Sequence, residues 1–336
     1  MKKYFFLLIA CSIITAKFTK VYAQQNLYTF DKNIVIPGNG GYDYLFIDQE
    51  SRKLYVSHGT AINVVHLDTE ALIGTIENLQ GDHGVAVVPG VGKGFISDGK
   101  ANAAVVFDLS TLKVIKTIAL TGKKPDAIIY DTFSNKIFTF NGGSDNASVI
   151  DVNSLTETNL VALNGAPEFA VADGKGKVYV NIEDKNSLKV IDTKAFKVIN
   201  TYPVSPCGGP TGLAIDAANN RLFTVCRENK GMSVIDMVTG KIITTISIGA
   251  GVDAVAYDAV TKLIFCSNGD GTTTIIKQES SDKYAVVQTL ATQIRAKTLA
   301  LDTKTHKIYL SVADFTPGTK NVIPNSFKVL VYKMAN

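Results

Sequence analysis

Tryptophan is absent from the 336 residues, so tyrosine and phenylalanine make up the whole aromatic inventory. Histidine is scarce, with four in the chain. His306 falls in a turn and His66 inside a strand, which leaves His58 and His83 as candidates for proton transfer. There is no CxxCH, which excludes covalent haem attachment, and neither GxSxG nor HExxH is present. Those absences remove the nucleophile elbow and the helical zinc-protease signature. No long hydrophobic run is available to cross a bilayer. The longest, Tyr4 to Ala16, has thirteen residues, where a spanning helix needs about twenty.

That short run follows Met1-Lys2-Lys3 and precedes Val21-Tyr22-Ala23, a small-x-small cleavage pattern. The layout reads as an export signal over residues 1–23, with a mature chain from residue 24 and a periplasmic or secreted destination. A rival reading takes Leu8-Ile9-Ala10-Cys11 as a lipoprotein box anchored at Cys11. Against it, the apolar stretch continues through Ser12-Ile13-Ile14, placing Cys11 inside the hydrophobic region.

An excess of one charge sign is also missing. Of the 34 basic residues, Lys2, Lys3, Lys17 and Lys20 belong to the signal, leaving 30 against 30 acidic residues. A chain with that balance lacks the net basic footprint of a nucleic-acid binder. Three cysteines remain after residue 23, Cys207, Cys226 and Cys266. An oxidising compartment permits a disulfide, and the odd count leaves one thiol over. Cys207 precedes one strand and Cys226 ends the next, so these two are the candidate pair.

What the chain does have is a repeat. A short apolar strand closing in a turn residue ends at Asp48, Pro89, Asp131, Asp173, Asp216, Asp258 and Asp302, at spacings of 41, 42, 42, 43, 42 and 44 residues. After each come a second strand such as Lys53-Leu54-Tyr55-Val56-Ser57, a Gly/Asn/Asp turn such as Asn268-Gly269-Asp270-Gly271, and a third strand such as Ser233-Val234-Ile235-Asp236. A fourth follows, as in Lys241-Ile242-Ile243-Thr244-Thr245-Ile246. Short β-branched runs with turn chemistry every eight to twelve residues predict antiparallel sheet. Four strands per repeat of about forty residues predict propeller blades. The expected fold is therefore an all-β, seven-bladed β-propeller forming a single domain over residues 24–336. The seventh unit supplies three strands, and Phe30–Ile36 resembles a fourth strand of the other units, so the N-terminal strand is expected to close the ring.

These units resemble the YVTN-repeat β-propeller family. The third-strand pattern stands at Val234-Ile235-Asp236-Met237-Val238-Thr239-Gly240-Lys241, and the second-strand signature, in degraded form, at Leu54-Tyr55-Val56-Ser57-His58 and Val178-Tyr179-Val180-Asn181. The resemblance covers residues 27–333 and implies an exported bacterial protein of a binding or scaffolding kind.

Several residues invite chemistry and have plainer readings. The repeated aspartates sit at one turn of each unit, where the side chain caps backbone N–H groups. Gly90-Val91-Gly92-Lys93-Gly94 has the look of a nucleotide loop, but it joins two strands with no helix behind it. Asp145, Asp184 and Asp270 lie in turns without the spacing of a dedicated Ca²⁺ loop.

Positions that differ between units carry more information. Counting five residues back from each turn residue, with the second unit aligned by its second strand, gives Asp43, His83, Asp126, Glu168, Thr211, Asp253 and Lys297. The ends of the second strands give His58, Asp98, Asn141, Glu183, Cys226 and Asn268. Both series are expected at the mouth of the central channel. Either they form a wet rim tolerant of any polar residue, or they form a binding site where loops converge. The leading expectation is a noncatalytic, monomeric binding protein for a small ligand, glycan or protein, with no cofactor. The alternative is a metal-assisted hydrolase or lyase. There Asp43, His83, Asp126, Glu168 and Asp253 would hold a divalent cation, and His58 or His83 would transfer the proton.

Overall fold

In the computed structural model, which describes residues 26–319 and 321–335 besides Met1, 28 strands form seven four-stranded antiparallel sheets. The export signal, its cleavage pattern and Cys11 lie outside the described residues. The first strands of blades 1 to 7 are Leu45–Asp48, Asp82–Val88, Pro125–Asp131, Pro167–Ala172, Pro210–Asp216, Val252–Asp258 and Leu299–Asp302. Each contacts the first strand of the next blade, and that of blade 7 contacts that of blade 1, so the ring is closed. No helix among the described residues is long and apolar enough to cross a membrane.

The joint that closes the ring is the N-terminal strand Tyr28–Val35. It pairs antiparallel with Lys328–Met334 as the outermost strand of blade 7, from Tyr28 opposite Met334 to Val35 opposite Lys328, with a bulge at Asp31. On the opposite edge of the joint, Arg52 of blade 1 grips Asp302 of blade 7 bidentately at 2.7 and 2.6 Å, and also holds Asp68. A planar fork on a carboxylate is the strong geometry for such a clamp.

Burial falls from the inside outward. Second strands such as Lys136–Asn141 are buried almost throughout, whereas fourth strands such as Val114–Ala119 are mostly exposed. The inner strands are covered on both faces by neighbouring blades, and so read as continuous apolar runs rather than alternating ones. The core is accordingly divided among the joints. Each of the seven hydrophobic clusters of the described residues spans two adjacent blades, as Phe95 and Val106 of blade 2 meet Ile137 and Ile150 of blade 3.

The repeated aspartates are turn caps. Asp48 accepts the N–H groups of Glu50 and Ser51 at 3.1 and 3.2 Å, Asp131 that of Ser134 at 3.0 Å, and Asp302 that of Lys304 at 3.1 Å. In the same turns Arg52, Asn135, Asn220, Lys262 and His306 take positive φ between 54° and 59°. Pro89–Val91 forms one 3₁₀ turn between strands, with Gly92 left-handed at φ 65°, as a hairpin rather than a phosphate loop. Blade 7 departs from the repeat after Lys307–Val312. The third strand does not start until Lys328, and just before it Phe327 lies against both Tyr42 and His58.

Candidate functional site

The first polar series converges. Its members are the second residues of the first strands in blades 2 to 6, and the residues two places before the first strand in blades 1 and 7. Contacts run from neighbour to neighbour round much of the ring. His83 Nδ1 lies 2.6 Å from Asp43 Oδ2 and 3.6 Å from Asp126 Oδ1. Thr211 Oγ1 lies 3.4 Å from Glu168 Oε2 and 3.5 Å from Asp253 Oδ1, and Lys297 Nζ donates to Asp253 Oδ2 at 2.5 Å.

Two residues that strand counting does not select complete the mouth. Arg227 follows the second strand of blade 5 and reaches Glu183 at 2.8 Å, Thr211 at 3.2 Å and Asp253 at 2.5 Å, bridging blades 4, 5 and 6. Tyr44 of blade 1 meets Phe169 of blade 4, with ring centroids 5.5 Å apart. Because those blades lie on opposite sides of a seven-membered ring, the two rings form a floor across the channel. The mouth is narrowed from below by this ring pair. Its Tyr44 hydroxyl is held well above the ordinary phenol value by burial and then by Asp126, Asp43, Glu168 and Asp253.

The carboxyls of this mouth are not equivalent. Burial, together with the charges of Asp43 and Asp253, pushes Asp126 up to about 6, against the opposing pull of His83. Glu168 is pushed up to about 8, first by burial and then by Glu183 and Asp126. His83 moves the other way from what burial alone would do. Burial disfavours its charge, but the hydrogen bond to Asp43 and the charge of Asp126 outweigh it and raise the imidazole to about 9. Arg227, partly desolvated against its charge, is held cationic by Asp253 and Glu183. At neutral pH the mouth therefore carries an imidazolium clamped by Asp43, a protonated Glu168, and an Asp253 neutralised by two cations.

The second polar series is placed differently from the expectation. Asn141 and Asn268 are fully buried within their blades, where Asn141 Nδ2 donates to Asn146 and Ser148, and Asn268 Nδ2 donates to Thr272 and Thr274. A Cβ on Gly122 or Gly249 would come within 2.0 or 2.5 Å of these two amides, so each Asn is sealed under a glycine. Asp98, also buried, accepts the N–H groups of Gln80 and Gly81 at 2.8 and 2.9 Å. His58 packs under Phe327, with ring centroids 4.3 Å apart and Nδ1 3.1 Å from Asn63, and burial holds its pKa down. The partners of these four side chains are local: Asn141 and Asn268 bond within their own blades, Asp98 holds the loop entering blade 2, and His58 meets Asn63 and Phe327. Glu183 is the member of that series that the structure brings to the mouth, through Arg227.

Cys207 and Cys226 are disulfide-bonded in the structure, with Cα atoms 5.2 Å apart, immediately before Arg227 in the chain. Cys266 is buried and free, and burial pushes its thiol up. As to metal, Asp43, His83 and Asp126 present ligand atoms within 4.8 Å of one another. A nitrogen and two carboxylates suit Zn²⁺ or a similar divalent ion.

Seven four-stranded blades, closed by strand exchange between the chain's two ends around a polar channel mouth, define a seven-bladed β-propeller of the kind that supports a binding or scaffold role. Residues 94–262, half of the chain, match the YNCE-like beta-propeller, and the chain belongs to that family. It is 34% identical over 83 residues to Antigen Lp49 of Leptospira interrogans, a match covering 25% of this chain and spanning only 18% of that protein's length. The Kuenenia stuttgartiensis hydrazine synthase contains a chain similar in structure, with a TM-score of 0.70 and 14% identity over 87% of this chain and 95% of that one. At that identity the likeness shows the fold alone.

Proposed function

We propose that this is an exported, noncatalytic binding propeller that takes a small polyhydroxylated ligand, a glycan, at the channel mouth. The observation that carries the reading is the narrowed polar mouth. Six ionisable side chains, Asp43, His83, Asp126, Glu168, Asp253 and Lys297, meet from six blades above the Tyr44–Phe169 floor. Carboxylates accept from sugar hydroxyls, a protonated Glu168 both donates and accepts, and an aromatic floor suits the C–H face of a sugar ring. The apolar run at Tyr4 to Ala16 and the Cys207–Cys226 disulfide favour an oxidising compartment outside the cytoplasm. The test is calorimetry with a glycan panel on the wild type and on Asp126→Asn/Asp253→Asn. The double variant should lose binding while keeping its fold. Identical titrations for the two proteins would remove this face as the site.

A second reading rests on the 4.8 Å grouping of Asp43, His83 and Asp126, namely a divalent cation serving a hydrolase or lyase. Binding would displace the His83 proton, so metal uptake should release about one proton and strengthen as pH rises. Elemental analysis of the purified protein and a Zn²⁺ titration at pH 6 and 8 check it. A metal-free protein showing no uptake at either pH would end that reading.

A further inference from the structure

Beside the mouth, over blades 6 and 7, lies an open cleft of about 680 Å³ lined by Tyr42, Phe315, Arg227, Arg295, Lys297 and Asp270. Its chemistry differs from that of the acidic side of the mouth. Arg227 is engaged by Glu183 and Asp253, and Lys297 by Asp253. Arg295 has no carboxylate partner among the described residues. Among the described residues its side chain donates only from Nη2, to the Thr319 carbonyl at 3.2 Å, so most of its five N–H groups lack an acceptor there.

The guanidinium is nevertheless held in place. It lies over the Phe315 ring, 3.9 Å from the centroid, which fixes its plane and leaves the fork edge free. The Tyr42 hydroxyl donates to the Arg295 carbonyl at 3.2 Å, anchoring the backbone beneath it, while the Tyr42 ring stacks on Phe327. Phe315 belongs to the stretch between the second and third strands of blade 7, which is longer than the matching hairpin of any other blade, and Tyr42 is the one aromatic residue at its place in the repeat. The aromatic part of the cleft is therefore not a by-product of the repeat. Its single carboxylate, Asp270, already accepts from the Ala250 N–H and the Thr272 hydroxyl at 2.6 and 2.7 Å, and keeps lone pairs for further hydroxyls.

A pre-oriented guanidinium fork, aromatic side chains and one hydroxyl-accepting carboxylate together describe a particular ligand. The geometry points to a uronate, a sugar ring bearing a carboxylate, with that carboxylate on Arg295 and a ring hydroxyl on Asp270; this rests on the glycan reading above. A phosphate dianion fits less well, because its second charge would fall near Asp270 and Asp253 with no further free cation to meet it.

The test uses the full mature chain, titrated calorimetrically with a galacturonate trisaccharide, the neutral galactose trisaccharide and inorganic phosphate. The uronate should bind at least tenfold more tightly than the neutral sugar. Phosphate should not compete, and binding should weaken as salt is raised. Arg295→Gln should reduce uronate affinity at least tenfold and leave the neutral sugar unchanged. Phe315→Ala, which keeps the charge but frees the guanidinium, should reduce it by a smaller factor, and melting temperatures establish that both variants fold. Equal affinity for acidic and neutral sugars, or an Arg295→Gln variant that binds as the wild type does, would overturn the assignment. If uronates fail while a neutral glycan binds and is lost in Asp126→Asn/Asp253→Asn, this inference falls alone. If no glycan binds at all, the proposed function falls with it.

Discussion

Asp126 and Asp253 occupy the same position of the repeat, the second residue of the first strand in blades 3 and 6, and they live in opposite electrostatic conditions. Asp253 receives Arg227 and Lys297, both at 2.5 Å. Asp126 has one cation in reach, an imidazole at 3.6 Å, beside the Tyr44 hydroxyl, faces Asp43 and Asp253, and is pushed up to about 6. The fold supplies equal places, and residues outside the repeat consensus decide what each place does. On the blade 5–7 side the charges are matched and the chain next to Arg227 is tied by a disulfide. On the blade 2–4 side the carboxyls are left under-compensated.

The largest effect should come from untying the matched side. The Cys207–Cys226 bond closes a loop of 19 residues, which is worth on the order of 3 kcal/mol. Reduction, or Cys207→Ser/Cys226→Ser, should then lower the melting temperature by roughly 6–12 °C. Mass spectrometry showing three free thiols in the mature protein, or an unchanged transition under reductant, would contradict this. Next comes Arg227→Met, which leaves Asp253 with Lys297 alone and Glu183 with none of its cation. The group is about 39% exposed at its side chain, so after solvent screening the cost should be about 1–2 kcal/mol, read from a denaturant midpoint at constant slope. A midpoint equal to the wild type's would mean the matched side is no better tied than the other.

A smaller effect distinguishes the two sides by pH. Glu168 has its folded-state pKa raised to about 8, so between the ordinary carboxyl range near 4.3 and that value the native state holds a proton the unfolded chain has released. Stability should therefore fall as pH rises across that window. His83, raised to about 9, contributes with the same sign: its stabilisation is complete below about 6.5 and is lost by about 9. Thermal melts from pH 5 to 9 should slope downward for the wild type and be flatter for Glu168→Gln. Parallel slopes for the two proteins would place the under-compensated carboxyl elsewhere. The smallest change is expected from Asp126→Asn, within about 0.5 kcal/mol of the wild type. Its signature is electrostatic, a lower His83 pKa by NMR titration because one of the two carboxylates holding the imidazolium is gone. An unmoved His83 would show that Asp43 acts alone.

The architecture was legible in the sequence because six of the seven blades meet the same need at the same turn. A carboxylate caps the N–H groups there, so Asp48, Asp131, Asp173, Asp216, Asp258 and Asp302 mark the period, with Pro89 in the same place in blade 2, and Phe30–Ile36 stands out as a strand without its unit. The first mouth series was legible for the same reason, since counting from the cap reaches the axis. Counting gives position along a strand but not direction. His58, Asp98, Asn141 and Asn268 stand at or just past their strand ends and are engaged by their own blades, by the loop entering the blade or by Phe327 instead. Arg227 escaped because its role depends on the reach of a long side chain over three blades, and Tyr44 because it reads as an ordinary strand residue until the ring brings Phe169 opposite.

The closing strand has a consequence for how the molecule is made. Tyr28–Val35 leaves the ribosome about 300 residues before its partner Lys328–Met334. At roughly 5–20 residues per second the strand waits about 15–60 s for the chain it must join. Bringing ends so far apart in sequence together costs little extra entropy, because loop closure grows only with the logarithm of length. The burden is temporal. During that interval six blades can form in order, while blade 7 and the edge beside blade 1 stay open, with Tyr28, Ile34 and Ile36 still uncovered. The yield of a protein built this way should respond to the speed of its own translation or export more than to the stability of the finished ring.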